Sequence, residues 1–294
     1  AMDFGRLDNL EQVDWRLPED AALTDRVLSA AASVPPPASD RQPIVRIGAP
    51  RWGVKQWLGV LYPKTSKPTE YLRHYGQRFA AVELNATFYQ IPSEKTILRW
   101  REMVPERFRF CPKLPQKVSH STGLDPQGGI RRAFFETVRK FGNRRGRCFL
   151  MLPPRFAPSQ LETLERFLDA VPDDIRLAVE FRHPGYFLPE AADKTFALLE
   201  SKGMAAVITD TAGRRDALHM CLTTSAAFIR FVGYAPHPSD RRRIADWGDR
   251  VVRWADSGLE ELYFFIHQSE ERLILDLAGE MEKQLSDRGL RASF

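Results

Sequence analysis

Residues 82–89 read VELNATFY and place Glu83 inside an apolar, strand-like run. A buried charge is costly unless it is paired, so a glutamate in a core strand indicates a site rather than a packing position. The run passes at once into polar residues, and Ser93 then begins a helical pattern that continues through Leu98. The stretch therefore predicts a strand, a polar loop and a helix, with a functional side chain near the carboxyl end of the strand.

Around this unit, short apolar runs alternate with helical patterns from Ile44 onward. The predicted strands are 44–48, 80–84, 107–111, 147–152, 176–181, 205–209, 227–232 and 262–266. Eight strands alternating with helices over about 250 residues is the length and rhythm of a (β/α)8 barrel. The alternative is a doubly wound open sheet, but no glycine-rich dinucleotide fingerprint follows any strand. We predict an α/β fold, a TIM-type (β/α)8 barrel, irregular between strands six and seven because residues 210–226 read as extended.

Helix signals fall between the predicted strands. Ser159 with Glu162 three residues later predicts a capping box, and Pro189 suits the first turn of another helix. An apolar stripe at helical spacing predicts a helix around Trp247, and residues 270–287 predict the last helix. These positions fit the alternation of strands and helices that a barrel requires.

The first 43 residues differ from the rest of the chain. Residues 18–32 predict a short helix, and the prolines at 35–37 end it. We interpret residues 1–43 as an N-terminal arm or helix that lies across the main domain, with a disordered leader as the alternative. Residues 44–294 are then the barrel domain. The N-terminus lacks the charged and apolar regions of a signal peptide.

The composition limits the class of protein. The chain has 294 residues, 43% of them hydrophobic, and a formal net charge of +5. Such a charge permits an anionic partner without requiring one, and the arginine pairs along the chain are more typical of solvated faces than of phosphate-binding surfaces. The three cysteines stand apart in apolar runs, which indicates reduced core residues. No apolar run reaches the roughly 20 residues that span a bilayer, so we expect a cytoplasmic protein with no membrane partner.

Function in a (β/α)8 barrel collects on the loops that follow the carboxyl ends of the strands, so the polar residues at those ends are the candidates. Carboxylates act as general bases or hydroxyl acceptors, and we expect catalytic roles for Glu83, Glu180 and Asp210. Arginine and lysine suit a planar anion such as phosphate, and aromatic rings stack on a ring or base. The ligand-binding candidates are Arg46, Trp52, Asn85, Tyr89, Lys113, Arg182, His183, Arg230 and His267.

Each candidate also has a simpler explanation. The two glutamates could balance the cations of an internal ion-pair network, His183 could be only a strand-ending loop residue, and the aromatic residues could belong to the core. Glu180, Asp210 and His267 offer ligands for a divalent ion, but no HxH or HExxH spacing supports a metal site, and the nearby arginines would repel a cation. There is no GxSxG elbow and no Walker loop. We expect no metal and no cofactor.

Several motifs follow one another in a specific order along residues 44–268. They are GAPRW at 48–52, the 82–89 stretch with PSEKT at 92–96, FRF at 108–110 with Lys113, LPP at 152–154, AVEFRHP at 178–184, and Asp210. The series resembles the YecE-like proteins, domain-of-unknown-function family 72. The resemblance implies a TIM-type barrel. It implies no reaction, because the family has no assigned one.

The sequence departs from that family pattern at three positions. Met151 stands where the family typically has glutamine, and Val232 stands where it has histidine. Ile266 begins a strand end that is Asn-Asn-Asp in the family. These changes imply a different substrate or reduced activity.

The sequence leaves three functions open, and with them the question of whether the chain is an enzyme. The first is an enzyme that binds a small anionic, phosphate-containing substrate, or nucleic acid, at the carboxyl-terminal mouth of the barrel. Nucleic acid rests only on analogy with AP-endonuclease-like barrels, whose histidine-rich zinc sets this sequence lacks. The second is a non-catalytic ligand-binding or regulatory barrel with a degraded site. The third is a carbohydrate isomerase or hydrolase that would use two carboxylates. The sequence predicts no oligomeric state.

Overall fold

The computed structural model describes residues 4–34 and 42–292, so the predicted proline stop at 35–37 lies outside the described residues. The strands are β1 (Ile44–Ala49), β2 (Ala81–Leu84), β3 (Arg109–Pro112), β4 (Cys148–Met151), β5 (Leu177–Glu180), β6 (Ala205–Asp210), β7 (Ala226–Val232) and β8 (Glu261–His267). The α-helices are α1 (Ala22–Ser33), α2 (Tyr71–Arg78), α3 (Ala86–Tyr89), α4 (Glu94–Met103), α5 (Gln116–Ser119), α6 (Gly129–Arg139), α7 (Leu161–Asp169), α8 (Pro189–Ser201), α9 (Ser239–Ser257) and α10 (Leu273–Ser286).

The eight strands form one sheet in the order β3-β2-β1-β8-β7-β6-β5-β4. Two parallel bridges, Phe110 with Arg145 and Lys113 with Phe149, join the two ends of that order. The sheet is therefore a nearly closed barrel of parallel strands with helices between them, which confirms the predicted TIM-type (β/α)8 fold.

All eight predicted strands are confirmed, with bounds within two residues of those expected. They were readable because strands buried on both faces appear as continuous apolar runs. The connection from β6 to β7 contains one short 3-10 turn, Arg215–Ala217, and no α-helix. This confirms the predicted irregularity between strands six and seven.

Of two predicted helix caps, one is confirmed and one is wrong. Ser93 caps α4 as expected, because its Oγ accepts the Thr96 amide hydrogen at 3.3 Å. The capping box predicted at Ser159 is wrong. A 3-10 turn, Pro158–Gln160, comes first, and Gln160 Oε1 accepts the Ala157 amide hydrogen at 3.1 Å. Ser159 lies inside that turn, so it cannot cap the helix that follows.

The chain divides into two compact units. The first combines the described residues up to Ala49 with those from Ala205 onward, and it contains β1, β6, β7 and β8 with α1, α9 and α10. The predicted apolar stripe of α9 is buried, and Trp247 of that stripe lies with its ring 6.0 Å from the ring of Phe264 on β8. The unit also includes residues 4–20, which we call the N-terminal arm.

Hydrogen bonds fasten the N-terminal arm and α1 to the first unit. Thr24 Oγ1 donates to the Met220 carbonyl at 2.9 Å and accepts from the Leu222 amide at 2.8 Å. Arg250 of α9 pairs with Asp20 at 2.6 Å. Helix α1 thus lies against α9 and against the connection between β6 and β7, where a regular barrel carries a helix of its own.

The second unit contains β2 to β5 and α2 to α8. An aromatic cluster at its start explains why the segment before α2 is ordered. The Trp57 ring stacks on Tyr75 at 6.1 Å and lies 6.0 Å from Phe79. All three side chains are buried, and such rings contribute large apolar areas to a core.

Two further expectations concern composition. Cys111, Cys148 and Cys221 are buried and form no disulfide, which confirms that they are free core residues. No helix within residues 4–34 and 42–292 is long and apolar enough to cross a membrane.

Candidate functional site

Two buried carboxylates lie at the carboxyl ends of strands in the second unit. Glu83 is 0% exposed and is paired in register with Cys111 of the neighbouring strand β3. Glu180 is 1% exposed, ends β5 and is paired in register with Met151 of β4. Carboxylates this deeply buried require hydrogen-bonding or charged neighbours, because burial otherwise favours the neutral acid.

Glu180 forms an ion pair with the arginine two residues further on. Arg182 Nε donates to Glu180 Oε1 at 3.1 Å, and both side chains are buried. This confirms that Glu180 lies within salt-bridge reach of one of the predicted cations. The pair fixes the direction of the guanidinium group at the carboxyl end of β5.

Glu83 is held by the residue that follows its strand. Asn85 Nδ2 donates to Glu83 Oε1 at 3.0 Å and lies 3.2 Å from the Pro50 carbonyl oxygen. Asn85 immediately precedes the short helix α3, so the strand-to-helix turn itself positions the amide. The predicted pairing of Glu83 with a cation stays a prediction.

Lys113 follows β3 and is almost completely buried. Its Nζ lies 4.1 Å from the centroid of the Phe88 ring, a cation–π contact. Its backbone carbonyl accepts a hydrogen bond of 2.7 Å from Thr87 Oγ1. The VELNATFY stretch therefore supplies both the hydroxyl and the ring that hold the lysine in place.

The structure adds His120, which sequence reasoning missed. His120 follows the short helix α5, and its Nδ1 lies 2.8 Å from Ser119 Oγ. Burial lowers the pKa of His120, and the positive charges of Arg155, Lys113 and Arg182 lower it further. The only sequence signal was its position in the loop after a strand, which is weak by itself.

We call Lys113, His120, Glu180 and Arg182 the strand-end cluster, because the Phe88 ring contacts both Lys113 and His120, and the charges of Lys113 and Arg182 both lower the pKa of His120. Arg155, in the loop after β4, approaches from the surface and donates from its guanidinium to the His120 carbonyl. Three cations therefore lie close enough to one histidine to disfavour its protonated form. A group of positive charges that repels a further proton is suited to an anionic ligand.

The two aromatic ligand-binding candidates, Trp52 and Tyr89, differ in their surroundings. Trp52 is half-buried and packs edge-on against Trp100 at 5.2 Å and against Phe110 at 6.4 Å. Tyr89 is 73% exposed at the end of α3. The contacts of Trp52 are those of a packing residue, whereas Tyr89 presents its ring to solvent.

His183 serves the local turn. Its Nδ1 accepts the Gly185 amide hydrogen at 3.0 Å, and its ring lies edge-on to Tyr186 at 6.4 Å. This geometry begins the 3-10 turn after β5. It matches the simpler explanation, in which His183 is a strand-ending loop residue.

Asp210 of the first unit is placed differently from the prediction. Its Oδ1 accepts from Arg215 at 2.6 Å and lies 3.1 Å from Arg243 Nη1, and its Oδ2 accepts from the Trp247 indole at 2.9 Å. Burial opposes the ionisation of Asp210, but Arg243, Arg215 and the indole N–H outweigh it and lower its pKa.

The reason is strand alternation, since successive residues of a strand face opposite sides of the sheet. Thr209 is in register with Arg230, and Asp210 is in register with Phe231. Asp210 therefore faces helix α9 on the outer side of the sheet. Its predicted catalytic role stays a prediction.

Arg46 forms a buried ion pair. Its guanidinium pairs with Glu261 and lies 5.3 Å from the Tyr263 ring centroid. Glu261 is the first residue of β8, so the pair lies toward the amino-terminal ends of the strands. Ligands in this fold bind at the opposite ends, and the predicted contact of Arg46 with a ligand stays a prediction.

Arg230 and His267 share the face of the sheet opposite to Asp210. Arg230 is in register with Phe265, and Val232 is in register with His267. Both side chains are about 95% buried, since each is 5% exposed. Their predicted contact with a ligand stays a prediction.

Within the described ranges, no group of three or more His, Cys, Asp or Glu side chains is arranged to hold a metal ion. Asp210, one of the three residues considered for such a site, is fully engaged by Arg243, Arg215 and Trp247.

Relatives of known sequence place the chain in a family. The model of the DUF72 family, described as a protein of unknown function, matches residues 46–292. UPF0759 protein YecE of Escherichia coli is 30% identical over 271 residues, which is 84% of this chain and 96% of YecE. UPF0759 protein YunF of Bacillus subtilis is 25% identical over 174 residues, which is 57% of this chain and 61% of YunF.

Solved structures agree on the fold. A DUF72 family protein of Enterococcus faecalis is similar with a TM-score of 0.68 at 18% identity, over 83% of this chain and 96% of that protein. A DUF72 family protein of Thermotoga maritima is similar with a TM-score of 0.62 at 23% identity, over 81% and 99% of the two chains. The family match and the similarity to YecE together show that the chain belongs to the DUF72 family.

Proposed function

We propose that the chain is an enzyme that binds a small phosphate-bearing substrate, a sugar phosphate or a nucleotide, at the strand-end cluster. The observation that supports this most strongly is the convergence of Lys113, Arg182 and Arg155 on His120. Charge-assisted hydrogen bonds to an anion are worth roughly 1.5–3 kcal/mol each. Two such cations held in place by Phe88 and Glu180 would recognise a phosphate group without a metal ion.

The proposed chemistry is proton transfer on the bound substrate. Glu83 is the proposed general base or hydroxyl acceptor, because it is buried near the cluster's strand β3 and is oriented by Asn85. Glu180 orients Arg182 and is the second carboxylate of the site. His120, whose pKa is lowered by burial and by the nearby cations, is able to accept a proton once a bound anion balances the surrounding charge.

The test is ligand-dependent thermal stabilisation by inorganic phosphate, ribose 5-phosphate and AMP. We expect stabilisation in the native chain and its loss in Lys113→Met. The pair Glu180→Gln with Arg182→Met removes both members of the ion pair, so no buried charge is left without its partner. Lys117→Met is the matched control, because Lys117 is exposed on α5 and carries the same charge.

If the phosphate compounds stabilise Lys113→Met as much as they stabilise Lys117→Met, the proposed site is overturned. Binding of a short single-stranded oligonucleotide, without binding of the small phosphates, would instead move the substrate class to nucleic acid. That binding must weaken as salt rises, because displaced counterions carry much of the affinity.

A second function is favoured by one residue. Met151 is 5% exposed and stands beside Glu180 in the register of β4 and β5. A thioether cannot supply the hydrogen bonds that the glutamine expected there would supply. This favours a barrel that binds its ligand without turnover. The substitution Met151→Gln tests it, since gain of activity on a bound phosphate ester supports a degraded site, and unchanged activity counts against one.

A further inference from the structure

The N-terminal arm forms one wall of a pocket in the first unit. The pocket holds about 220 Å³ and has its other walls at the carboxyl ends of β7 and β8, residues 232–235 and 267–269. Arg6, Leu7, Asp8 and Leu10 of the arm complete it. The family match begins at residue 46, so this wall lies outside the part of the chain that the family shares. None of these residues belongs to the strand-end cluster.

The arm is anchored on both sides of this wall. The Gly5 carbonyl accepts from the Gly213 amide at 2.7 Å and from the Tyr234 hydroxyl at 3.0 Å. Further along, the Trp15 ring lies 4.6 Å from the Arg243 guanidinium. Residues 6–10 therefore span the pocket between two fixed points, so this segment of the arm is held in place over the pocket.

Gln268 supplies a buried polar group at the pocket. It is 2% exposed, and its Nε2 donates to Asp240 Oδ2 at 2.8 Å. Asp240 also accepts from the Tyr234 amide and from Arg243, so its carboxylate is fixed in position. Exchanging the amide nitrogen and oxygen of Gln268 would set two acceptors against each other, and its orientation is therefore determined.

The other end of this amide is unsatisfied. Among the residues that the structure describes, Gln268 Oε1 is buried and accepts no hydrogen bond. Leaving such an acceptor without a donor is unfavourable. Gln268 lines the pocket, so its unsatisfied oxygen is a candidate acceptor for a ligand bound there. A ligand with an N–H donor would remove this cost.

We propose that this pocket binds a small zwitterion of the size of an α-amino acid. Its ammonium group donates to Gln268 Oε1 and faces the Asp8 carboxylate, and its carboxylate faces the Arg6 guanidinium. Opposite charges two residues apart on the arm match the two ends of such a molecule. The volume corresponds to roughly seven groups of water size at about 30 Å³ each, which suits a compact polar molecule.

The experiment is isothermal titration of the full chain with serine, and with three probes that each lack one feature. These are lactate, which has no amine, ethanolamine, which has no carboxylate, and glycerol, which has no charge. We expect serine alone to bind, with a Kd on the order of 1 mM. Arg6→Met and Asp8→Asn should each weaken binding about tenfold or more. Glu11→Gln, a charge change on the exposed arm away from the pocket, should leave it unchanged.

Gln268→Leu removes the acceptor and should abolish serine binding. If that variant does not fold, the arm variants still decide, since Arg6 and Asp8 are exposed on the arm. Equal affinity of Asp8→Asn and Glu11→Gln would overturn the proposal. So would binding of lactate or glycerol as tightly as serine, or no detectable binding of serine at about 10 mM, ten times the expected Kd.

Discussion

The indole N–H of Trp247 donates a 2.9 Å hydrogen bond to Oδ2 of Asp210, so a helix on the outer side of the sheet holds the acid that ends β6. Arg243, from the same helix, lies 3.1 Å from the other carboxylate oxygen. The carboxylate thus joins β6 to α9 through a buried charge.

The substitution Asp210→Asn should therefore destabilise the fold. It leaves Arg243 buried with only Asp240 to balance it, and breaking a buried pair typically costs about 3–5 kcal/mol. Urea unfolding followed by circular dichroism measures the loss. Asp216→Asn is the control, because its pair with Arg214 lies near the surface and should contribute less than about 1 kcal/mol. Equal unfolding midpoints for the two variants would show that the buried Asp210 pair does not stabilise the fold.

His120 should report on anion binding through its pKa. Neighbouring positive charges disfavour the imidazolium, so the pKa lies below its usual range, and a bound anion should raise it. Arg155→Met should raise it as well, because it removes the largest of the three charge effects. Titration of the imidazole signals by NMR, with and without phosphate, measures both changes. Two results together would contradict the proposed site. They are a His120 pKa that phosphate does not change, and a Lys117→Met variant that shifts this pKa as much as Arg155→Met does.

His219 should make the fold sensitive to acid. The Cys221 amide donates to its Nδ1 at 3.1 Å, and its Nε2 lies 3.1 Å from the Val207 carbonyl. Burial lowers the pKa of His219 to about 4 from the usual 6.5. The unfolded chain therefore takes up a proton near pH 6.5 that the folded chain refuses, so this stability is complete above that pH and is lost as the pH falls toward 4.

The expected loss from this one group between about pH 7.5 and about pH 5 is about 2 kcal/mol. His219→Gln lacks a titrating ring and should flatten that part of the pH dependence, although its stability at neutral pH is lower. Unfolding free energies at the two pH values give the comparison. If the unfolding free energy of the native chain and that of the variant fall equally between the two pH values, other groups cause the loss of stability.

Gly233 should tolerate no side chain. A Cβ at this position would overlap Gln268 Nε2 and lie 2.8 Å from Asp240 Oδ2, the two groups joined by the hydrogen bond that fixes the Gln268 amide. Gly233→Ala should cost about 1–3 kcal/mol by overpacking. Gly279→Ala in α10, where nothing lies within 4 Å of the new Cβ, should be neutral or slightly stabilising. Thermal unfolding compares them, and an unaffected Gly233→Ala would mean that the Gln268 amide is not held in place.

The fold was predictable because its signals are local. Continuous apolar runs marked all eight strands, and Ser93 marked the start of α4 with the cap that the structure shows. The 3-10 turn before α7 was not readable, because Ser159 and Glu162 carry a capping pattern that the preceding Pro158 shifts out of place.

The site was predictable only in part, because side-chain direction depends on the register of each strand. The order of residues brought Asp210 to a strand end, but alternation turned it toward α9. The partner of Arg46 stayed hidden because Glu261 falls one residue before the predicted eighth strand. His120 carried no pattern at all, since its role arises from Lys113 and Arg182 approaching it in space.

The hydrogen bonds of Thr24 have a consequence for how the chain is made. Their partners, Met220 and Leu222, lie 196 and 198 residues further along, so they emerge from the ribosome long after α1 does. An isolated helix of this length is marginal in water. Helix α1 must therefore wait until residues 220–222 have been made before it finds the surface that stabilises it. In a nascent chain, α1 remains open to proteases or chaperones until that segment has folded.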